Sequence, residues 1–232
     1  MTNITQNSKM KIELSPSLLS ADFLNLEKQL KILENENIKR IHLDIMDGNF
    51  VPNISFGQPI LKSLRKKTKL LFETHLMIQH PENYIKSFKD AGSDILIFHY
   101  EATTDHIYLI EEIKNLGMKA GISIKPATCW EEIGDLLPLL DIVLIMSVEP
   151  GFSGQHYMPE TARKMKFMHS YVLEKNLNID IAIDGGINEN TIQDAVKNGA
   201  NILISASAVF SNDENIMRAN IKKLNSLIKN IN

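Results

Sequence analysis

Four side chains stand out because their types and placement suit one chemistry. His42 and Asp44 lie two residues apart at the end of an apolar run, His75 lies near the end of another, and Asp184 follows a third. Strand side chains alternate faces, so His42, Asp44 and Met46 share one face, and Leu43 and Ile45 take the other. His75 and Met77 share a face in the same way. Two imidazoles and two carboxylates brought together suit Zn2+, and would also accept Fe2+, Mn2+ or Co2+. Any one of them alone reads as a satisfied core polar group. Four at strand ends read differently, because burying four titratable groups without a use costs on the order of several kcal/mol.

Met46, Met77 and Met146 also fall at strand ends. A polarizable thioether can lie against a flat delocalised intermediate, or it can simply fill a gap in the core. Three later loops carry small residues. They are Gly151-Phe152-Ser153-Gly154, Asp184-Gly185-Gly186, and Ser205-Ala206-Ser207-Ala208. Glycine lets backbone N–H groups approach an anion closely, so three such loops in adjacent positions point to a phosphate.

The elements that must position these groups alternate along the chain. Strands are expected at Ile12–Ser15, Arg40–Ile45, Leu70–Leu76, Ile95–His99, Lys119–Ile124, Ile142–Met146, Asp180–Ile183 and Ile202–Ser205. Helices are expected at Phe23–Asn35, Gln58–Lys66, Glu82–Ala91, Thr104–Asn115, Glu131–Leu137, Pro159–Lys175, Glu189–Asn198 and Asn215–Ile228. Asp22 is a candidate cap for the first helix, and Gly92, Gly117 and Gly199 sit just past helix ends. Eight repeats of roughly 29 residues predict a single-domain α/β protein, a closed (β/α)8 TIM barrel, over an open doubly wound sheet. Barrel sites lie at the strand C-termini, where the four candidate ligands fall.

Length and composition agree with that reading. The chain has 232 residues, 44% hydrophobic and 23% charged, with a net charge of −3 that gives no general attraction to nucleic acid or anionic lipid. The single cysteine, Cys129, excludes an internal disulfide framework. No apolar run reaches the ~18 residues of a membrane span. The polar start of the chain lacks an apolar signal core, so residues 1–10 are expected to be a frayed tail and 11–232 the barrel, in a cytoplasmic protein.

Several of these segments resemble the ribulose-phosphate 3-epimerase family. They are Ser15-Pro16-Ser17-Leu18-Leu19-Ser20-Ala21-Asp22, then His42 to Gly48 with Val51-Pro52-Asn53, and His75-Leu76-Met77. The Gly151–Gln155 loop and Asp184-Gly185-Gly186-Ile187 follow in family order. The resemblance implies a (β/α)8 barrel that interconverts D-ribulose 5-phosphate and D-xylulose 5-phosphate in the pentose phosphate pathway. A six-carbon ketose phosphate such as D-allulose 6-phosphate is the alternative substrate. It implies one divalent metal, Zn2+ before Fe2+, Mn2+ or Co2+, on His42, Asp44, His75 and Asp184, with Asp44 and Asp184 also serving as acid and base. Ser17 and His75 would touch substrate, the thioethers of Met46, Met77 and Met146 would cover the planar intermediate, and Gly151, Phe152, Ser153, Gly154, Gly185, Gly186, Ala206 and Ser207 would take the phosphate. A homo-oligomer is implied, with no nucleic-acid or membrane partner. The family usually has glycine where Ser153 and Ala206 stand, so phosphate binding by those loops requires that neither position need a positive φ.

Two other functional classes share parts of this pattern. A metal-dependent hydrolase would use a similar site, but no extra His or Lys cluster suggests a second metal. A non-catalytic sugar-phosphate sensor would have no need of two carboxylates. His99 reads as structural, and His80, His106, His156 and His169 as solvated.

Overall fold

A computed structural model describes residues 11–231. The expected tail, Met1–Met10, and Asn232 lie outside the described residues. Eight strands are present, β1 (Glu13–Pro16), β2 (Arg40–Met46), β3 (Leu71–Met77), β4 (Ile95–His99), β5 (Lys119–Ile124), β6 (Ile142–Met146), β7 (Asp180–Asp184) and β8 (Ile202–Ser205). All neighbours pair in parallel, in the order β1-β8-β7-β6-β5-β4-β3-β2. A parallel bridge from Ser17 to His42 brings β1 against β2, so the sheet curls into a nearly closed barrel. The open doubly wound alternative is thereby excluded.

The outer ring, among the described residues, has seven α-helices. They are α1 (Leu26–Asn35), α2 (Gln58–Arg65), α3 (Ile85–Ala91), α4 (His106–Asn115), α5 (Pro159–Glu174), α6 (Ile192–Lys197) and α7 (Glu214–Ile231). The fifth expected helix, Glu131–Leu137, is instead two short 3-10 turns, Trp130–Ile133 and Leu137–Leu139. Gly134 weakens an α-helix there, and the ring of Pro138 would clash with the Gly134 carbonyl one turn back. Asp22 does not cap α1 directly. Its carboxylate accepts from the Leu24 N–H at 3.0 Å and from Asn25, forming a turn that delays the helix to Leu26. Gly92 ends α3 at φ 102°, as its position suggests.

Packing follows the alternation. Ile41, Leu43 and Ile45 of β2 and Val143 and Ile145 of β6 face outward into the main core, between sheet and helices. The helices meet them with apolar stripes, Ala162, Met165, Met168 and Val172 on α5 and Met217, Ile221, Leu224 and Ile228 on α7.

Inside the barrel the two halves differ. Ile95, Ile97, Ile142, Leu144, Ala182, Ile202 and Ile204 form an apolar sector. Gly121 of β5 completes it, since a Cβ there would lie 2.5 Å from Ile142 Cγ2. The opposite sector, on β1 to β3, is polar and buried, with Ser15, Arg40, His42, Asp44, Glu73 and His75. Polar groups in a barrel interior demand partners, and those partners build the site. No helix among the described residues is long and apolar enough to cross a membrane.

Candidate active site

His42 and Asp44 point inward from β2, His75 from β3, and Asp184 ends β7. Asp44 and His75 are register partners across the β2–β3 pair. Asp184 reaches them only across the barrel, because β1 and β8 lie between β7 and β2 in the sheet order. One ligand atom from each of the four residues lies within 4.8 Å of the others. His42 Nε2 is 3.2 Å and His75 Nδ1 is 3.1 Å from Asp44 Oδ1. The two ring nitrogens are 3.3 Å apart. Ser17 Oγ donates to Asp44 Oδ2 at 2.5 Å and accepts from the Leu19 N–H, so it holds the carboxylate and starts the next turn.

This donor set fits a divalent cation. Two imidazole nitrogens and two carboxylate oxygens converge on one point, and both histidines are fully buried with their other nitrogen engaged. His42 Nδ1 meets Glu73 Oε1 at 2.8 Å, and His75 Nε2 meets His99 Nε2 at 2.9 Å. His42, Asp44, His75 and Asp184 therefore form a group that could hold a metal ion.

The two carboxylates differ in their proton affinity. Burial would raise Asp44, but the adjoining His42 and His75 outweigh it and hold the carboxyl far below the usual range. Asp184 is pushed up to about 7, by burial and then by the negative charge of Asp44. Burial drives His75 down to about 4, leaving it neutral, whereas Asp44 and Glu73 overcome burial and raise His42 well above its ordinary value. Glu73, fully buried, is held low by His42 and Arg40 against the effect of burial.

Above these groups lies a cavity of about 200 Å³ at the strand C-termini. Asp44 and Asp184 line it, and His42 and His75 are not among its lining residues. Met46 and Met77 come from one side and Met146 from the apolar sector opposite, so the three thioethers expected near substrate do reach the cavity. Ser17 and the segments Gly151–Gly154, Gly185–Gly186 and Ala206–Ser207 complete the lining anticipated from sequence.

Gly151, Gly154, Gly185 and Gly186 all have positive φ. At Gly186 the requirement is strict, since a Cβ would lie 2.6 Å from the Tyr157 backbone nitrogen. Ser153 and Ala206 are not among the positive-φ residues, so the two departures from glycine cost no backbone strain. Glu149 is exposed and outside the cavity lining.

Sequence reasoning missed Glu73, Glu101 and Arg40. Glu73 carried a signal, an inward charge two residues before His75 on the same strand. His99, read as structural, is fully buried and bonded to His75. Glu101 follows His99 by two residues and bonds its ring, a spacing the sequence did show, whereas Arg40 had no local signal, since its partners Glu13 and Glu73 come from other strands. Of the remaining histidines, His80 and His156 are exposed as expected, while His106 is half-buried and stacks on Tyr100 with 4.4 Å between ring centroids.

Fold and site together define a (β/α)8-barrel enzyme with a carboxylate pair and a metal-competent cluster at its mouth. The profile described as the ribulose-phosphate 3 epimerase family matches residues 13–210. A ribulose-phosphate 3-epimerase of Treponema pallidum is 43% identical over 198 residues, covering 85% of this chain and 91% of the relative. One from Eremothecium gossypii is 40% identical over 209 residues, with coverage of 85% and 86%. The cytoplasmic isoform of rice (Oryza sativa subsp. japonica) is 39% identical over 202 residues, with coverage of 85% and 87%. The chain belongs to the ribulose-phosphate 3-epimerase family, and it is an epimerase of the isomerase class. At the level of fold alone, it resembles a tryptophan synthase α-subunit variant from Pyrococcus furiosus, with TM-score 0.67, 13% identity and coverage of 94% and 98%. A thiamine phosphate pyrophosphorylase from the same organism gives 0.62 and 16%, with coverage of 96% and 97%.

Proposed function

We propose that this protein interconverts D-ribulose 5-phosphate and D-xylulose 5-phosphate, with Asp44 and Asp184 as the two acid–base groups. The observation that carries the reading is their placement. They reach one cavity from strands on different sides of the barrel, one carboxyl held ionised and the other holding its proton near neutrality. Inversion at C3 needs a base on one face of the sugar and an acid on the other.

In one direction Asp44 removes the C3 proton, and the C–H electron pair forms the C2–C3 double bond as the C2 carbonyl electrons move to oxygen. Asp184 then gives its proton to C3 from the opposite face as the carbonyl reforms. The reverse reaction exchanges the two roles. Met46, Met77 and Met146 cover the planar intermediate with apolar, polarizable surface and keep water from it. The loops at Gly151–Gly154, Gly185–Gly186 and Ala206–Ser207 hold the phosphate and so fix C3 between the carboxyls. The cavity lining includes no lysine or arginine, so backbone N–H groups carry that task.

A divalent cation on His42, Asp44, His75 and Asp184 would supply charge stabilisation for the developing enediolate oxygens. The N2O2 donor set supports Zn2+ first, with Fe2+, Mn2+ or Co2+ as alternatives that metal analysis of the purified protein distinguishes. A homo-oligomer and a cytoplasmic location belong to the same reading. Exposed Leu24 and Ile54, next to the edge-to-face pair Phe23–Phe56 on the barrel rim, support self-association. The rice relative's name supports the location.

The test is turnover of ribulose 5-phosphate in deuterated water. Deuterium should enter the product at C3. Label at C1 instead would mean an aldose–ketose isomerase and would end the proposal. A higher kcat/KM on D-allulose 6-phosphate would move the substrate to the six-carbon sugar.

A further inference from the structure

The proposed reaction leaves Arg40, Glu73, His99 and Glu101 without a task, yet all four lie on hydrogen-bond chains that end on the two histidines. The first chain runs up the polar sector. Arg40 Nη1 donates to Glu73 Oε2 at 3.0 Å, Ser15 Oγ donates to Glu73 Oε1 at 3.2 Å, and that same oxygen meets His42 Nδ1 at 2.8 Å. Glu73 faces a guanidinium and a hydroxyl donor, so it is an acceptor only. His42 Nδ1 must therefore be the donor, and Nε2 is the nitrogen turned to Asp44.

The second chain runs outward through β4. Glu101 Oε1 accepts from the Lys125 N–H at 2.8 Å and from the Thr128 hydroxyl, and Glu101 Oε2 meets His99 Nδ1 at 3.1 Å. His99 Nδ1 donates to that carboxylate, so the Nε2 of a neutral His99 is an acceptor. His75 Nε2, 2.9 Å away, must supply the proton, which leaves the lone pair of His75 on Nδ1. That nitrogen lies 3.1 Å from Asp44 Oδ1, inside the cluster.

We propose that Glu73 and the His99–Glu101 pair are positioning residues that preset opposite tautomers on the two histidines. His42 then offers Nε2 and His75 offers Nδ1 to the cation, with Arg40 hydrogen-bonded to Glu73. One chain is a direct carboxylate contact and the other is relayed through a third imidazole. The inference rests on the metal reading of His42, Asp44, His75 and Asp184. Its signature is metal affinity, because the outer partners of ligating histidines are typically worth about 10–100-fold in binding.

The experiment measures Zn2+ affinity by competition with a chromophoric chelator, for the wild type, Glu73→Gln, His99→Phe and Glu101→Ala. Thermal unfolding of each metal-free variant is recorded alongside. Long-range proton–nitrogen spectra of the Zn2+-loaded wild type, labelled with 15N in histidine, read the tautomers directly. We expect a loss of about 10–100-fold in affinity for Glu73→Gln and His99→Phe. A smaller loss is expected for Glu101→Ala, with the ring proton on Nδ1 of His42 and on Nε2 of His75. If the two buried variants fail to fold, Glu101→Ala, at the solvent end of its chain, and the wild-type spectra still decide the question. Tight wild-type binding with folded variants all within twofold of it, or a proton on Nδ1 of His75, would overturn the positioning role alone. A wild type that binds no Zn2+ would overturn the metal reading and this inference with it.

Discussion

Replacing Asp184 by asparagine should make the metal-free protein more stable at alkaline pH while destroying its activity. Asp184 rises from 3.8 to about 7 in the folded chain, through burial and then the charge of Asp44. A group with a raised folded value binds its proton more tightly when folded. Its contribution is fully present below the unfolded value near 4 and is lost as pH climbs through about 7. Roughly three pH units at about 1.4 kcal/mol each set a ceiling near 4 kcal/mol. The cavity admits water to this carboxylate, which lowers the expectation to about 2–4 kcal/mol.

Asparagine is neutral throughout and keeps nearly the same shape, so it escapes the alkaline loss. The assay is urea unfolding of chelator-treated wild type and Asp184→Asn from pH 4 to pH 9. The two stabilities should nearly coincide at pH 4 and diverge between pH 5 and 8, with the variant higher by that amount. Added Zn2+ should then narrow the gap at pH 8, since only the wild type keeps the fourth ligand; at a hundred times Kd, binding adds about 2.7 kcal/mol. Curves that run parallel over the whole range would refute the claim that Asp184 carries a strained proton beside Asp44.

Three further outcomes follow from the same geometry. Asp44→Asn and Asp184→Asn should each lower kcat by about 10²–10⁴-fold in a coupled assay on ribulose 5-phosphate, and near wild-type turnover in either removes that residue from the chemistry. Gly186→Ala places a Cβ 2.6 Å from the Tyr157 nitrogen at φ +61°. It should cost about 2–4 kcal/mol in denaturant unfolding, or show as a raised KM if the loop yields instead. Ser153→Gly and Ala206→Gly should leave KM for the sugar phosphate within about threefold, because neither position has a positive φ to relieve.

Much of this protein is legible before folding is considered. The β-branched runs alternating with amphipathic stretches specify strand and helix order, because each element must bury one face. Face alternation in His42-Leu43-Asp44-Ile45-Met46 assigns the inward groups without coordinates, and Ile41, Leu43 and Ile45 do face the helices. The motifs from Ser15 to Asp184 placed the chain in its family. The failures were local, and each has a cause in the residues. Gly134 and Pro138 break the helix expected at Glu131–Leu137 into 3-10 turns. Asp22 spends its carboxylate on a turn, so α1 starts later than Phe23.

What only the tertiary structure decided is how groups distant in sequence meet. Asp184 faces Asp44 because the barrel closes through the Ser17–His42 bridge, and closure depends on all eight strands at once. The splitting of the two carboxyls follows from that meeting, since Coulomb interaction and burial depend on distance and surroundings that no local window contains. The same holds for Arg40 with Glu73, Glu73 with His42, and His75 with His99. Their side chains announce charge or a ring in the sequence, but hydrogen bonds between strands are made only when register and curvature put donor and acceptor about 3 Å apart.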